Sequence, residues 1–173
     1  MTEKKYYISW DIGIKNLAFA IFTNDELIYW KNISITNKKK ISKNEIPIML
    51  KNTLDKYKNK ILKYNYECAI IESQIKKNIK AGWLFSALSM WLYCNLIKKI
   101  IPITAKKKFE VLGIEIPKKY YERKQIIIKK CNEIIKSKNI ITNDKCIKRF
   151  EKYIKKDDIS DAFIMGYCYL KSL

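Results

Sequence analysis

The sequence predicts an α/β fold, in which short apolar strands and amphipathic helices follow one another along 173 residues. Aromatic and β-branched residues fill short stretches such as Tyr6–Trp10, a composition typical of strands. Apolar residues recur at intervals of three and four in longer stretches such as Asn44–Tyr64, a spacing typical of helices. A chain of this length is expected to form a single domain over residues 1–173. Such a domain buries about 70 % of its unfolded surface.

The N-terminal segment predicts three consecutive strands. The first ends at Asp11, and Gly13 follows two positions later. Leu17–Phe22 predicts the second strand, which the turn pair Asn24–Asp25 ends. Glu26–Ile35 predicts a third strand, antiparallel to the second through that turn.

Asp11 is the first candidate functional residue. A charge at the end of a buried strand is costly unless it is paired, and this strand contains no Lys or Arg. A divalent cation is one partner that would pair with it, so Asp11 is a candidate metal ligand. Two alternatives fit the same residues: a carboxylate that caps its own turn, and a phosphate-binding turn of the kind found in actin-like and sugar-kinase ATPases. The chain is short for the two lobes of such ATPases.

A second strand-end acid follows the helix predicted for Asn44–Tyr64, whose first turn contains Pro47. The apolar run Cys68–Glu72 predicts a buried strand that ends in a carboxylate. Glu72 therefore repeats the pattern of Asp11. Three lysines follow it, at Lys76, Lys77 and Lys80.

The longest uncharged run, Ala81–Ile97, predicts a helix that is apolar on nearly every side. It is shorter than the roughly 20 residues of a membrane span, so no membrane association is expected. Such a helix must bury a second face outside its own domain. We expect a homodimer through this helix, with Trp83, Met90 or Trp91 at the interface.

The remainder of the chain predicts one more strand and three helices. Pro102 indicates an irregular or edge position for the strand. The lysine-rich segment Thr104–Gly113 is interpreted as a solvated turn. Gly166 costs helix stability of about 1 kcal/mol relative to Ala, which indicates close packing at that position. The predicted elements are Ile100–Ile103, Tyr120–Lys138, Asn143–Tyr153 and Lys155–Leu173.

Two further acids lie at the start of the last helix. Asp158 and Asp161 are three residues apart, so their side chains lie on the same side of the first turn. One interpretation is structural, because acids in a first turn cap a helix and interact favourably with its dipole. The alternative is that two stacked carboxylates near the packed face of the helix hold metal ions.

The charge and cysteine content exclude several function classes. The formal net charge is +19, from 36 Lys and Arg against 17 Asp and Glu, which indicates an anionic partner. Only Arg123 and Arg149 are arginines, so phosphate contact is favoured over base recognition. The heavy use of Lys, Ile and Asn is also typical of AT-rich genomes. There is no histidine, and the five cysteines form no Cys-x-x-Cys pair, which excludes the usual zinc sites and any Cys-His or Ser-His nucleophile. Reduced thiols in a cytosolic or nuclear compartment are expected, and the N-terminus lacks the apolar region of a secretory signal.

Taken in order, the segments ISWDIGIKNLAFAIF, AIIESQ, KKKFEVLG and KKDDISDAF resemble the motifs of the ribonuclease H-like nucleases. The detail is most similar to the RuvC-type Holliday junction resolvases, in particular their poxvirus branch. The resemblance implies a five-stranded mixed sheet flanked by helices, a homodimer and two Mg²⁺ ions per site, with Mn²⁺ able to substitute. The implied catalytic residues are the metal ligands Asp11, Glu72, Asp158 and Asp161, together with Lys108.

The sequence departs from the family pattern at two positions. Asp157 adjoins Asp158 and is a second candidate for the third acid, although only Asp158 has the three-residue spacing to Asp161. Ile75 stands where bacterial members place an aromatic wedge. The lysines expected to contact DNA are Lys15, Lys76, Lys77, Lys80, Lys106 and Lys107.

The resemblance implies a Mg²⁺-dependent endonuclease that resolves Holliday junctions and other branched DNA by paired, symmetric cuts during viral DNA recombination and concatemer processing. In such a site two cations about 4 Å apart support in-line attack on a phosphodiester, and Lys108 neutralises charge at the scissile phosphate. The alternatives are another ribonuclease H-like nuclease acting on RNA, and a non-catalytic basic nucleic-acid-binding module. The expected location is the host cytoplasm.

Overall fold

A mixed six-stranded sheet organises the computed structural model, which describes residues 4–38, 40–73, 78–95, 97 and 99–173. Among these residues the strands follow the order β5-β4-β1-β2-β3-β6 across the sheet. Their bounds are Tyr6–Asp11 (β1), Leu17–Phe22 (β2), Glu26–Ile33 (β3), Tyr66–Glu72 (β4), Ile100–Ile103 (β5) and Ile141–Thr142 (β6).

The strand pairing agrees with most of the sequence-based expectations. β1, β2 and β3 form an antiparallel meander, and β4 and β5 are added in parallel on the other side of β1. β5 is an edge strand and contains Pro102, as predicted. The expectation of five strands was wrong by one, because β6 pairs in parallel with the start of β3. Its two residues are too few to form a recognisable strand pattern.

Six α-helices connect and cover these strands within the described residues. Helix bounds were predicted to within a few residues, but Thr104–Gly113 is not a solvated turn. It contains a helix, which Thr104 caps by accepting a hydrogen bond from the Lys107 backbone N–H. The helices are Ile46–Ile61 (α1), Ile79–Cys94 (α2), Ala105–Val111 (α3), Tyr120–Lys136 (α4), Asp144–Lys152 (α5) and Asp157–Lys171 (α6).

The sheet separates two apolar cores. Helices α1 and α2 cover one face, and α4, α5 and α6 cover the other. Helix α6 lies directly on β1 and β2, where Ser9 Oγ donates a hydrogen bond of 2.6 Å to the Ala162 carbonyl. Gly166 permits this close approach, because a Cβ at that position would overlap the ring of Phe22. The glycine therefore has the packing role that its position in the helix predicts.

Helix α2 is apolar on two sides, but the residues that lie outward differ in part from the predicted interface residues. Trp91 is buried against α1, and its Nε1 donates to Asp55 Oδ1 at 3.2 Å. Trp91 is therefore excluded from the set of predicted interface residues. The outward side of the helix carries four large exposed residues: Ile79, Trp83, Met90 and Tyr93. In the part of the chain that the structure describes, no helix is long and apolar enough to cross a membrane.

Candidate active site

The two strand-end acids lie side by side. Asp11 is the last residue of β1 and Glu72 is the last residue of β4. These strands are parallel neighbours, with Trp10 opposite Ile71. Both carboxylates therefore lie at the same edge of the sheet, namely the one where the C-terminal ends of β1 and β4 meet. Asp11 is buried and Glu72 is half-buried. The sequence-based expectation that these two acids meet is consistent with this register.

The first two turns of α6 bring further carboxylates to this edge. The helix begins at Asp157, and both Asp158 and Asp161 are buried. The preceding residue, Lys156, is the N-cap, and its side chain makes no capping hydrogen bond. Because neither Asp157 nor Asp158 occupies the N-cap position, capping does not account for the acids. Their favourable interaction with the helix dipole remains.

A buried lysine joins the strand acid to the helix acid. Lys108 lies on α3, which follows the edge strand β5, and is only 3 % exposed. Its ammonium donates to Glu72 Oε1 at 3.0 Å and to Asp161 Oδ1 at 2.5 Å. Burial alone would lower the pKa of Lys108, but Asp161, Glu72 and Asp11 raise it above its ordinary value. The ammonium is therefore charged at all relevant pH values.

A second lysine, Lys124 on α4, lies in the same cluster and was missed by sequence reasoning. Its Nζ is 3.0 Å from Asp161 Oδ2, 3.4 Å from Asp157 Oδ2 and 3.9 Å from Asp158 Oδ1. Its pKa is also raised, because the attraction of the acids outweighs burial. The signal was its spacing: Lys124 precedes the buried Ile127 by three residues and so lies on the inward side of the helix.

The buried acids differ in their response to this charge pattern. Burial raises the pKa of Asp11 well above its usual range, and repulsion by Asp161 and Glu72 raises it further. Burial would also raise the pKa of Asp161, but the contacts with Lys108 and Lys124 lower it overall. Burial raises the pKa of Asp158, although Lys155 donates to it at 3.1 Å. The cluster thus combines a carboxylate that resists ionisation, Asp11, with one whose ionised form is stabilised, Asp161.

The donor set suits hard divalent cations, which prefer carboxylate oxygens. Among the described residues, no group of three acidic, histidine or cysteine side chains is arranged in this conformation to hold a metal ion, and the two ammonium groups lie between the carboxylates. One oxygen, Asp157 Oδ1, is buried without a hydrogen-bond partner. An acceptor-only oxygen in that position is available for a cation.

A cavity of about 270 Å³ opens onto the cluster. Its walls include Glu72, Lys108 and Asp161 from the cluster, and Tyr120 and Lys124 from the first two turns of α4. The acids are therefore accessible from the surface on the side where α4 begins.

The lysines predicted to contact DNA are only partly described. Lys15, Lys80, Lys106 and Lys107 are exposed, as a phosphate-contacting role requires. Lys106 and Lys107 also lie within 4.0 Å of Glu110. The remaining positions of interest, Lys76, Lys77 and Ile75, lie outside the described residues.

Comparison with known proteins shows the family of the chain. The model of the family described as Poxvirus A22 protein matches residues 6–172. The chain belongs to this family. It is 28 % identical over 163 residues to the Holliday junction resolvase of fowlpox virus (strain NVSL), and the match covers 94 % of this chain and 90 % of that protein. The expected relationship to the poxvirus branch is confirmed.

Solved structures confirm the fold. The crystal structure of the fowlpox virus Holliday junction resolvase matches with a TM-score of 0.68 and 23 % identity, covering 97 % of this chain and 99 % of that chain. The fowlpox virus resolvase in complex with substrate Holliday junction DNA matches with a TM-score of 0.66 and 24 % identity, covering 96 % and 97 %. Thermus thermophilus RuvC matches with a TM-score of 0.63 and 12 % identity, covering 96 % and 93 %. The fold is therefore of the expected ribonuclease H-like, RuvC type.

Proposed function

We propose that the protein is a metal-dependent endonuclease that resolves Holliday junctions and other branched DNA by paired cuts. The observation that carries the proposal is the convergence of Asp11, Glu72 and Asp161 at one edge of the sheet, with Lys108 held between two of them. Membership of the poxvirus family and similarity to a named Holliday junction resolvase support the choice of substrate. The biological role that fits is DNA recombination and concatemer processing during viral replication.

The acids of the cluster are the proposed ligands of two Mg²⁺ ions, for which Mn²⁺ would substitute. Asp11, Glu72 and Asp161 would contribute, together with Asp158 or Asp157. When bound, the two ions supply the Lewis acidity that phosphodiester hydrolysis requires. The chain contains no histidine to act as a general base, which is consistent with a reaction that relies on bound cations.

The lysines have separate roles in this proposal. Lys108 is buried at the site and carries a permanent charge, so it is placed to neutralise the scissile phosphate. The DNA backbone is contacted outside the active site by four exposed lysines: Lys15, Lys80, Lys106 and Lys107. Affinity should fall steeply as salt is added, because each phosphate contact releases counterions.

We further propose that two copies associate through the exposed side of α2. The exposed residues Ile79, Trp83, Met90 and Tyr93 follow one another at intervals of four, seven and three, which places them in one stripe along the helix. Large apolar stripes of this kind are typical of interfaces. A two-fold dimer would present two sites to a two-fold symmetric junction and so give paired nicks.

The free cysteines support a reducing location, for which we propose the host cytoplasm. All five described cysteines are free thiols, and four of them are buried. Burial raises the pKa of Cys146 to about 11 and that of Cys168 to about 12, so these thiols are unreactive.

The proposal is tested by incubating the protein with a labelled four-way junction, a matched duplex and a matched RNA, each with and without Mg²⁺. Cleavage of the junction into two nicked duplexes, only with metal, is expected. Preferred cleavage of the RNA would instead favour another ribonuclease H-like activity, and binding without cleavage of any substrate would favour a non-catalytic module.

Substitutions in the acidic cluster separate catalysis from binding. Asp11→Asn, Glu72→Gln and Asp161→Asn should each abolish cleavage but leave junction binding intact, because the surface lysines remain. Asp158→Asn is expected to do the same, and Asp157→Asn to be milder. If the Asp157 variant is inactive and the Asp158 variant cuts normally, the third ligand is Asp157, whose Oδ1 is the unpartnered oxygen.

A further inference from the structure

Two adjacent tyrosines at the start of α4 are unusually exposed. Tyr120 is 71 % exposed and Tyr121 is 70 % exposed. Large aromatic rings normally bury most of their surface, so this pair, here called the tyrosine platform, is available to a partner. Tyr120 adjoins the candidate active site, because it lines the same cavity as Glu72 and Asp161, and Tyr121 is the next residue on the same helical turn.

The platform is held in a fixed position relative to the acids. Arg123 donates to the backbone carbonyls of Pro117 at 2.6 Å and of Lys118 at 3.0 Å, which fixes the segment that leads into the helix. Lys124 Nζ lies 5.6 Å from the centroid of the Tyr120 ring and 3.0 Å from Asp161 Oδ2. The same ammonium therefore contacts the ring and a catalytic carboxylate.

The surroundings of the platform are basic. Lys118 and Lys119 precede it and are exposed. Lys119 is 3.5 Å from Glu122 in an exposed ion pair, which contributes little to stability and can be exchanged for a phosphate contact. Aromatic rings between lysines, beside a site for phosphodiester chemistry, match the pattern by which proteins hold unpaired nucleotides: rings stack on bases and lysines contact the backbone.

We propose that Tyr120 and Tyr121 stack on unpaired nucleobases at the branch point of the DNA, next to the scissile phosphate. The inference rests on the proposed function and adds how the substrate is recognised. An intact duplex keeps its bases stacked on one another and offers no free base face to the platform, whereas an opened branch point does. The platform would thus favour branched DNA over duplex, a role for which the position of Ile75 offers no aromatic residue.

The test is photo-cross-linking with 5-iodouracil placed at the branch point of a four-way junction, in EDTA so that the DNA stays intact. A duplex with the same label is the control substrate. The wild-type protein should cross-link to the junction through Tyr120 or Tyr121, identified by peptide mass, and should not cross-link to the duplex at these residues.

Substitutions then measure the contribution of the rings to binding. Tyr120→Ala and Tyr121→Ala should each weaken junction binding about tenfold and leave duplex binding unchanged. Tyr120→Phe keeps the stacking ring and should bind and cross-link like the wild type. Thermal unfolding midpoints should not change, because both rings are exposed.

Four outcomes would overturn the inference. In the first, both alanine variants bind and cross-link to the junction like the wild type, which still cuts junctions. This result would reject a role for the tyrosine platform and leave the proposed function intact. An equal loss of junction and duplex binding shows general backbone contact only. If the alanine variants sediment differently from the wild type and the wild type forms no cross-link to the junction at these residues, the tyrosines belong to a protein interface instead. A wild-type protein that neither binds nor cuts junctions would overturn the proposed function and this inference with it.

Discussion

Replacing Lys124 with methionine should destabilise the protein in the absence of metal and strengthen its binding of Mg²⁺. Methionine keeps much of the apolar length of the side chain and removes only the ammonium group. In the structure that ammonium lies 3.0–3.9 Å from the carboxylates of Asp157, Asp158 and Asp161. A divalent cation that uses Asp161 must compete with it.

The contacts of the three acids set the magnitude of the effect. Removing one partner of a buried ion pair typically costs about 3–5 kcal/mol. Here Asp161 keeps Lys108 at 2.5 Å, and Asp157 and Asp158 keep Lys155 at 3.5 and 3.1 Å. The expected cost is therefore lower, about 2–3 kcal/mol, which corresponds to a fall of about 4–12 °C in the thermal midpoint for a chain of this size. If Mg²⁺ displaces the ammonium in the wild type, its binding must break these ion pairs. The variant has none of them to break, so its affinity for Mg²⁺ should be higher by up to about 100-fold.

Two measurements check this prediction. Thermal unfolding in EDTA gives the stability of the Lys124→Met variant, and calorimetric titration gives its affinity for Mg²⁺. Lys129→Met is the matched control, because Lys129 lies on the same helix and is exposed. A Lys124→Met variant as stable as the control in EDTA, and with unchanged or weaker Mg²⁺ binding, would refute the competition between lysine and metal.

Three further predictions concern a buried acid, a glycine and the dimer. Asp11→Asn should raise the stability of the metal-free protein at neutral pH, because the raised pKa of Asp11 makes its ionisation unfavourable in the folded state. The gain should be absent below the unfolded pKa of about 3.9, should grow as pH rises from there to the raised folded pKa, and should stay constant above it, so thermal midpoints that do not diverge with pH would contradict it. Gly166→Ala should destabilise the fold by about 1–3 kcal/mol through overlap with Phe22, despite a helix-propensity gain of about 1 kcal/mol; an unchanged or higher midpoint in thermal unfolding would contradict it. Trp83→Glu should give monomers in sedimentation and abolish paired cuts. Ile141→Glu, at an exposed site on the edge strand β6 and away from α2, should leave the dimer and the paired cuts unchanged. A wild-type monomer that makes paired cuts would refute the dimer.

The strand-end acids of the site could be predicted from the sequence because burying a charge is costly. Asp11 and Glu72 stand out because an apolar strand tolerates a carboxylate only at its end, and the parallel pairing of their strands then brings them together. Lys124 was missed because a lysine on a mostly polar helix resembles any solvated lysine, although its spacing of three residues to Ile127 places it on the inward side. The outward side of α2 could not be assigned, because a helix that is apolar all round has no preferred direction; only tertiary packing buries Trp91 and exposes Trp83.

The opposite pKa shifts of two buried aspartates indicate where a divalent cation gains most. Asp161 lies on α6, within hydrogen-bonding distance of lysines that two other helices contribute, and its negative charge is stabilised. Asp11 lies at the end of a central strand, where the same two lysines lower its pKa by less than burial and the neighbouring acids raise it. The negative charge that the protein itself stabilises least is therefore the one on Asp11. A cation that binds there would relieve both the burial cost and the repulsion from Asp161 and Glu72, so we expect metal binding to gain most free energy at Asp11.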